Sequence, residues 1–276
     1  MRIYATVLYL FLYIPIGIIV LFSFNSGRHA SDFRGFSLEW YGTAASNRWV
    51  IEALTTSLIV AGTTAVLATV MGTSAALALQ RVKGTLRVIF DGFTFVAIMI
   101  PGIVIGISTL VALVTAFDFL NPAIAALWPE ALGNAPKLHM GYASIIAAHT
   151  LFTMALVIVI VRARIQGMDR TLIEVSADLY ATPWATFWQV TLPLLFPAVL
   201  AGFLLSFTFS FDDFIIAFFV AGSNTTLPIY VFSSIRRGIT PEVNAIGASM
   251  LALSLTLLFI AQWLVRRRAR QMTGRG

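Results

Sequence analysis

The sequence predicts an all-α membrane protein that crosses the bilayer six times. Three observations predict it. Of the 276 residues, 59% are hydrophobic and only 11% charged, too apolar a balance for a soluble domain. Long stretches carry no Asp, Glu, Lys or Arg, and they meet the roughly 20 residues that cross a bilayer. The basic residues gather between and beyond those stretches, so the net charge of +6 reads as a topology signal, not as a nucleic-acid footprint. No internal repeat, low-complexity tract or linker divides the chain, and residues 1–276 read as a single membrane domain.

The first span is expected over residues 3–24. Its apolar run is too long for a signal-peptide core and lacks a small-x-small cleavage site, so it reads as retained. An outer segment follows, in which Phe36 to Tyr41 form an amphipathic piece. Trp40 and Tyr41 suit the membrane interface there. The second span is expected over 53–80 and the third over 92–117. Pro101 removes a backbone hydrogen bond inside the third span and kinks it, and Gly102 and Gly106 offer close approach to another backbone. Residues 118–137 contain Pro122, Pro129, Gly133 and Pro136 and read as an irregular outer loop. The fourth span, 138–161, holds His149, which reads as a packing histidine. The fifth is expected over 195–220. The last, 243–265, is capped by Thr240-Pro241-Glu242.

Orientation follows from Lys and Arg. With the N-terminus inside, the inner segments hold Arg2, Arg81, Lys83, Arg87, Arg162, Arg164, Arg170 and the basic residues from Arg266 to Arg275. The outer segments hold Arg28, Arg34, Arg48, Lys137, Arg236 and Arg237. The excess on the inner side places both termini in the cytoplasm.

Residues 169–193 then face the cytoplasm and read as two short helices. Thr171 and Glu174 have capping-box spacing. Leu172, Val175 and Leu179 recur on one helical face. Thr182-Pro183 ends the first helix and starts the second, which carries Trp184, Phe187 and Trp188; Pro193 ends the unit. An amphipathic pair on the aqueous side of a membrane protein suits a soluble partner.

Asp212-Asp213 is the sharpest chemical feature. It lies roughly 28 Å along a continuous helix from Pro193, toward the outer side. A carboxylate near the bilayer centre costs about 2.5–3.5 kcal/mol on the mildest scale. Neighbouring side chains diverge by about 100° around a helix, so the two cannot share one face. One is expected to face a watery pathway and the other a helix or cation.

Two sets of residues resemble a known family. Glu174, Tyr180, Val190 and Leu192-Pro193 keep the spacing of the EAA loop of ABC-importer permeases, with Val175 and Ser176 at its two alanine positions and Tyr180 at its glycine. Phe207 to Asp213 resembles a segment of the spermidine/putrescine-type permeases, as do Leu12 to Pro15, Ser23 to Ser26, Trp40-Tyr41, Leu227-Pro228 and Gly238 to Ala245. Gly102 departs from the acidic residue that polyamine-type members carry after the third-span proline. The resemblance implies a type I ABC-importer permease fold in a bacterial inner membrane. Leu172, Glu174, Val175, Leu179, Tyr180, Val190, Leu192 and Pro193 would couple to an ATPase; Asp212, Asp213 and Trp40 would line the solute pathway. Expected partners are a second related permease, two cytoplasmic ATPase subunits that hold ATP and Mg, a periplasmic solute-binding protein and membrane lipid. The solute would be a polyamine or related amine, with another small organic solute as the alternative.

The chain itself is not expected to be an enzyme or to hold a cofactor or metal. It has no cysteine and no P-loop, and no H-E-x-x-H or G-x-S-x-G motif. His29, His139 and His149 share no metal-ligand spacing. An ion-coupled secondary transporter would use membrane carboxylates, but it predicts inverted repeats and no docking loop.

Overall fold

A computed structural model describes residues 2–27, 32–129, 132–169, 171–238 and 240–273. Arg28, His29, Arg170, Ile239 and Arg275 lie outside the described residues. Twelve α-helices are described, and the only β pairing among the described residues is a single bridge, Asn25 to Phe36. Six helical segments are long and apolar enough to cross a membrane: Tyr4–Phe22, Arg48–Ala78, Gly102–Leu127, Tyr142–Gln166, Pro183–Asp212 and Pro241–Ile260.

The chain divides into two compact units. The first contains residues 1–57 and 225–260. Its helices are α1 (Arg2–Phe22), α2 (Glu39–Ser46), the first residues of α3 (Arg48–Ala78), α11 (Leu227–Arg237) and most of α12 (Pro241–Thr273). Polar side chains tie it together. Asn25 is fully buried; its Oδ1 accepts from the backbone N–H groups of Gly27 and Arg34, and its amide donates to the Asp32 carbonyl. Asn47, between α2 and α3, donates to Glu242 at 2.8 Å and to Tyr230 at 3.2 Å. The Leu227 N–H donates to Ser57 Oγ at 2.8 Å.

The second unit contains residues 58–224 and 261–276, with the rest of α3 and α4 (Thr85–Met99), α5 (Gly102–Leu127), α6 (Tyr142–Gln166), α7 (Thr171–Asp178), α8 (Pro183–Thr186), α9 (Leu192–Asp212), α10 (Ile215–Val220) and the end of α12. Its core is a crossing of α3, α6 and α9, where Ala68, Ala76, Val157, Val161 and Leu195 are fully buried. Gly72 makes this crossing possible: a Cβ there would stand 2.8 Å from the Cβ of Val157. Small residues at such contacts let helix backbones close up in lipid, where packing rather than hydrophobicity holds helices together.

Four elements differ from the sequence reading. The expected third span, 92–117, is broken, not kinked. Ile100 is extended, as a residue before proline tends to be, and α5 starts afresh at Gly102 and becomes the span. The helix then runs through Pro122 to Leu127, so the first half of the expected loop 118–137 is helical. Proline is tolerated inside helices of membrane proteins when surroundings satisfy the freed backbone groups. Asn121 beside it fastens the returning chain, accepting from Leu138 N–H at 2.7 Å and donating to its carbonyl at 3.1 Å.

The expected fifth span, 195–220, also breaks. Asp213 turns the chain out of helix, and α10 follows as a separate short helix. Gly106 seats α10 against α5: a Cβ on it would lie 3.3 Å from the Ile216 Cα and 2.7 Å from the Phe219 ring. Pro193, finally, does not end the docking unit. Residues Phe187–Thr191 form a π-helical turn that runs straight into α9. The wider turn lets Leu192 N–H donate to the Phe187 carbonyl, and it absorbs the missing N–H of Pro193 without stopping the helix.

Candidate coupling and pathway sites

The first candidate site is the helix pair α7–α8. Its start departs from the expected capping box. Asp169 Oδ1 accepts from both the backbone N–H and the hydroxyl of Thr171, at 3.0 and 2.7 Å. These two bonds hold the Asp169 carboxyl below its usual range. Thr182 behaves as expected, its hydroxyl oxygen accepting from Ala185 N–H with Pro183 in the first turn. Between the helices, Ser176 and Thr186 share a hydroxyl hydrogen bond of 2.8 Å.

Tyr180 forms the turn between them. Its φ is +58°, in the left-handed region that favours glycine. The Tyr180 N–H reaches the Ala177 carbonyl and the Ala181 N–H reaches the Ser176 carbonyl, the two bonds of a Schellman cap. Tyrosine therefore adopts the conformation a glycine would take, at a cost of about 1–2 kcal/mol. Tyr180→Gly removes this strain, and the ring, 96% exposed, is held by little within the chain. We expect the purified variant to melt no lower than wild type; a clear fall in melting temperature would show that the ring is anchored.

The face this turn presents is apolar and open. Leu172, Val175, Leu179, Trp184 and Trp188 are all exposed, Leu179 to 75%. Trp184, Phe187 and Trp188 pack edge to face and against one another in a ring cluster. Glu174 stands apart, lining a cavity of about 320 Å³ with Arg81, Gln80, Ile165, Met168, Ile173 and Thr191. Val190 is half-buried in the π turn; Leu192 and Pro193 begin α9.

The second candidate site lies at the α9–α10 break. Asp212 is exposed and Asp213 partly buried. Asp213 Oδ2 accepts from the Ala217 N–H at 3.0 Å and lies 3.2 Å from Nε2 of His149 on α6. His149 is 99% buried, and its Nδ1 hydrogen-bonds with Ser210 Oγ at 2.8 Å. Sequence reasoning did not link His149 and Ser210 to the acids. The available signal was that His149 is the one histidine deep inside a predicted span and that Ser210 lies one helical turn before Asp213, in spans where polar groups are costly.

Trp40 belongs to the other unit, on α2, half-buried beside Tyr41. Tyr41 bonds Ser23 Oγ at 2.7 Å and packs on Phe24. No group of His, Cys, Asp and Glu among the described residues is arranged to hold a metal.

Six candidate spans, with the helix pair α7–α8 between the fourth and the fifth, define a polytopic membrane protein. Residues 68–274 match the family described as binding-protein-dependent transport system inner membrane components, and the chain belongs to that family. It is 34% identical over 272 residues to the spermidine/putrescine transport system permease protein PotC of Escherichia coli K12, covering 98% of this chain and 96% of that one. It is 36% identical over 268 residues to the putrescine transport system permease protein PotI of the same strain, covering 95% and 89%. Among solved structures, a bacterial ABC transporter that imports alginate matches with a TM-score of 0.72 at 15% identity, over 96% of this chain and 94% of that one. The MetNI methionine ABC transporter matches with a TM-score of 0.58 at 15% identity, over 79% and 95%. The chain is thus a multi-pass inner-membrane permease of the ABC-importer class and not an enzyme. Family membership leaves no place for a secondary transporter acting alone.

Proposed function

We propose that this chain is the permease subunit of an ATP-driven polyamine importer and forms half of its translocation pathway. It pairs with a second, related permease. Two cytoplasmic ATPase subunits, which hold ATP and Mg, dock on α7–α8, and a periplasmic binding protein delivers the solute. Leu172, Glu174, Val175, Leu179, Tyr180, Val190, Leu192 and Pro193 make or shape the docking element. Asp212 and Asp213 and, from the other unit, Trp40 serve the pathway. The observation that carries the solute class is similarity to spermidine/putrescine and putrescine permeases over nearly the whole chain. Two adjacent acids at the end of an apolar span favour a cationic solute, since charge-assisted hydrogen bonds are about twice as strong as neutral ones.

The test is uptake by the assembled complex in liposomes. With ATP inside and the binding protein outside, labelled putrescine or spermidine should accumulate. Accumulation of an uncharged or anionic solute, with neither amine carried, overturns the amine reading.

Both termini and residues 162–192 face the cytoplasm in this reading. The chain has no cysteine, so single ones can be added without background. A cysteine replacing Lys137 should react with an impermeant thiol reagent from outside, and one replacing Arg164 should not. The opposite pattern inverts the topology.

A further inference from the structure

The apolar faces of α3, α4 and α6 do not close completely over one another. A cavity of about 570 Å³ lies between them, outside both candidate sites. Its wall comes from residues 75–82 at and beyond the end of α3, 90–97 on α4 and 151–158 on α6. On α4 and α6 that stretch is about 10 Å long. Leu79, Ala155 and Ile158 are buried and form the floor, while Phe90, Phe93 and Leu151 are exposed and border the open side. Thr94 brings the one hydroxyl of the lining, and it donates to the Phe90 carbonyl. A buried water needs two to four polar partners, so the groove suits hydrocarbon and not solvent.

Charge gathers at one end of it. Arg81 and Lys83 flank the lining residue Val82. Arg87 precedes Phe90 by three positions on α4, and Arg162 follows Ile158 by four on α6, spacings that keep each beside a lining residue on its helix. These four cations meet one carboxylate. Asp91 accepts on both oxygens from Arg162 and lies 3.8 Å from Arg87. Among the described residues no other acid is within ion-pairing distance of Arg81, Lys83 or Arg87, although Glu174 shares the smaller cavity with Arg81. Arg81, Lys83 and Arg87 are exposed. The cluster follows directly on the candidate span that ends at Ala78 and stands near the end of the one that closes at Gln166, the level of lipid headgroups.

We propose that this cavity binds one anionic glycerophospholipid, with an acyl chain in the groove between α3, α4 and α6 and the phosphate held by Arg81, Lys83 and Arg87. The two halves of the site do different things. Lipid tails are as apolar as leucine, so the groove accepts a tail without choosing among lipids. The basic cluster makes the choice, because a surplus of positive charge at headgroup level favours an anionic lipid over a zwitterionic one. A helix from another subunit fits less well. It brings no phosphate to the surplus charge, and at 10–12 Å across it enters such a groove only by single side chains. The site stands whichever solute the pathway carries.

The experiment uses the full-length chain in its assembled complex, in phosphatidylcholine nanodiscs doped with phosphatidylglycerol that carries a diazirine at the end of one acyl chain. After photolysis, mass spectrometry should find the adducts concentrated on the peptides with Phe93, Ala97 and Leu151, away from the charged end. The same diazirine on phosphatidylcholine should label those peptides about tenfold less. Even labelling of all the spans, or equal labelling by the two lipids, overturns the proposal. So does an efficient cross-link from a cysteine at position 97 to another subunit, which puts a protein segment in the groove. Two variants separate tail from headgroup. Arg81→Gln/Lys83→Gln/Arg87→Gln leaves the groove intact and should erase the preference for phosphatidylglycerol; a preference that survives overturns the headgroup assignment. Ala97→Phe fills the groove and should remove labelling by both lipids; undiminished labelling overturns the groove as the tail site. Where Ala97→Phe assembles poorly, Ala78→Phe at an exposed lining position takes its place with the same expected result, and the wild-type labelling map decides without any substitution.

Discussion

A permease carrying Leu179→Asp should insert at normal levels and lose its ATPase. Leu179 is 75% exposed at the end of α7, directly before the Tyr180 turn. It contributes almost nothing to packing within the chain, so the substitution spares the fold. An aspartate there would be buried in the partner contact without a matching cation, and an unpaired buried charge costs several kcal/mol. Each 1.4 kcal/mol is a tenfold change in affinity, so association should fall by two orders of magnitude or more. Co-purification of the ATPase with the permease reads this directly, and ATP-dependent uptake should vanish with it. Normal co-purification and normal uptake would remove α7–α8 from the docking role.

Asparagine at Asp212 and at Asp213 should produce two different failures. Asp212→Asn keeps shape and hydrogen bonding but removes the charge from an exposed position. The lost charge-assisted bond to a passing amine, about 1.5–3 kcal/mol, predicts a fall of roughly ten- to a hundredfold in uptake efficiency, with the complex fully assembled. Asp213→Asn instead weakens the contact with His149 and the cap on the Ala217 N–H. Its main effect should be less assembled complex and a lower melting temperature. Because the two positions adjoin, the double variant is needed to separate their effects. If both single variants assemble and import at the normal rate, the acids are interfacial caps and carry no transport role.

The number of spans and the start of α8 were legible in the sequence because their causes are local. An apolar run of sufficient length, and a Thr-Pro pair with the hydroxyl at the N-cap, each decide their own neighbourhood. The breaks at Pro101 and Asp213 were not legible. They depend on each other through packing: α10 needs the bare backbone of Gly106 to lie against α5, and a Cβ on Gly102 would come within 3.9 Å of the Ile215 side chain. No window along one segment contains both halves of that contact. Pro122 and Pro193 were over-read as terminators, since membrane helices absorb proline where neighbours or a π turn satisfy the backbone. Tyr180 was read as a departure from a glycine turn; the backbone makes that turn regardless, and only its φ of +58° reveals the strain. The His149–Ser210–Asp213 cluster joins α6 to the end of α9, a proximity that spacing alone does not encode.

The unbroken helical run from Pro183 to Asp212 has a mechanical meaning. Its 30 residues make a rod roughly 45 Å long, with the cluster of Trp184, Phe187 and Trp188 at one end and Asp212 at the other. A rod needs no chain of intermediate contacts to carry a signal. If the end that carries the rings is pushed so that the rod tilts by about 10°, the far end swings by roughly 8 Å. The proline that looked like a terminator lies within this shaft, and the π turn beside it and Pro197 beyond it are places where the rod can yield, both nearer the ring cluster than the acids.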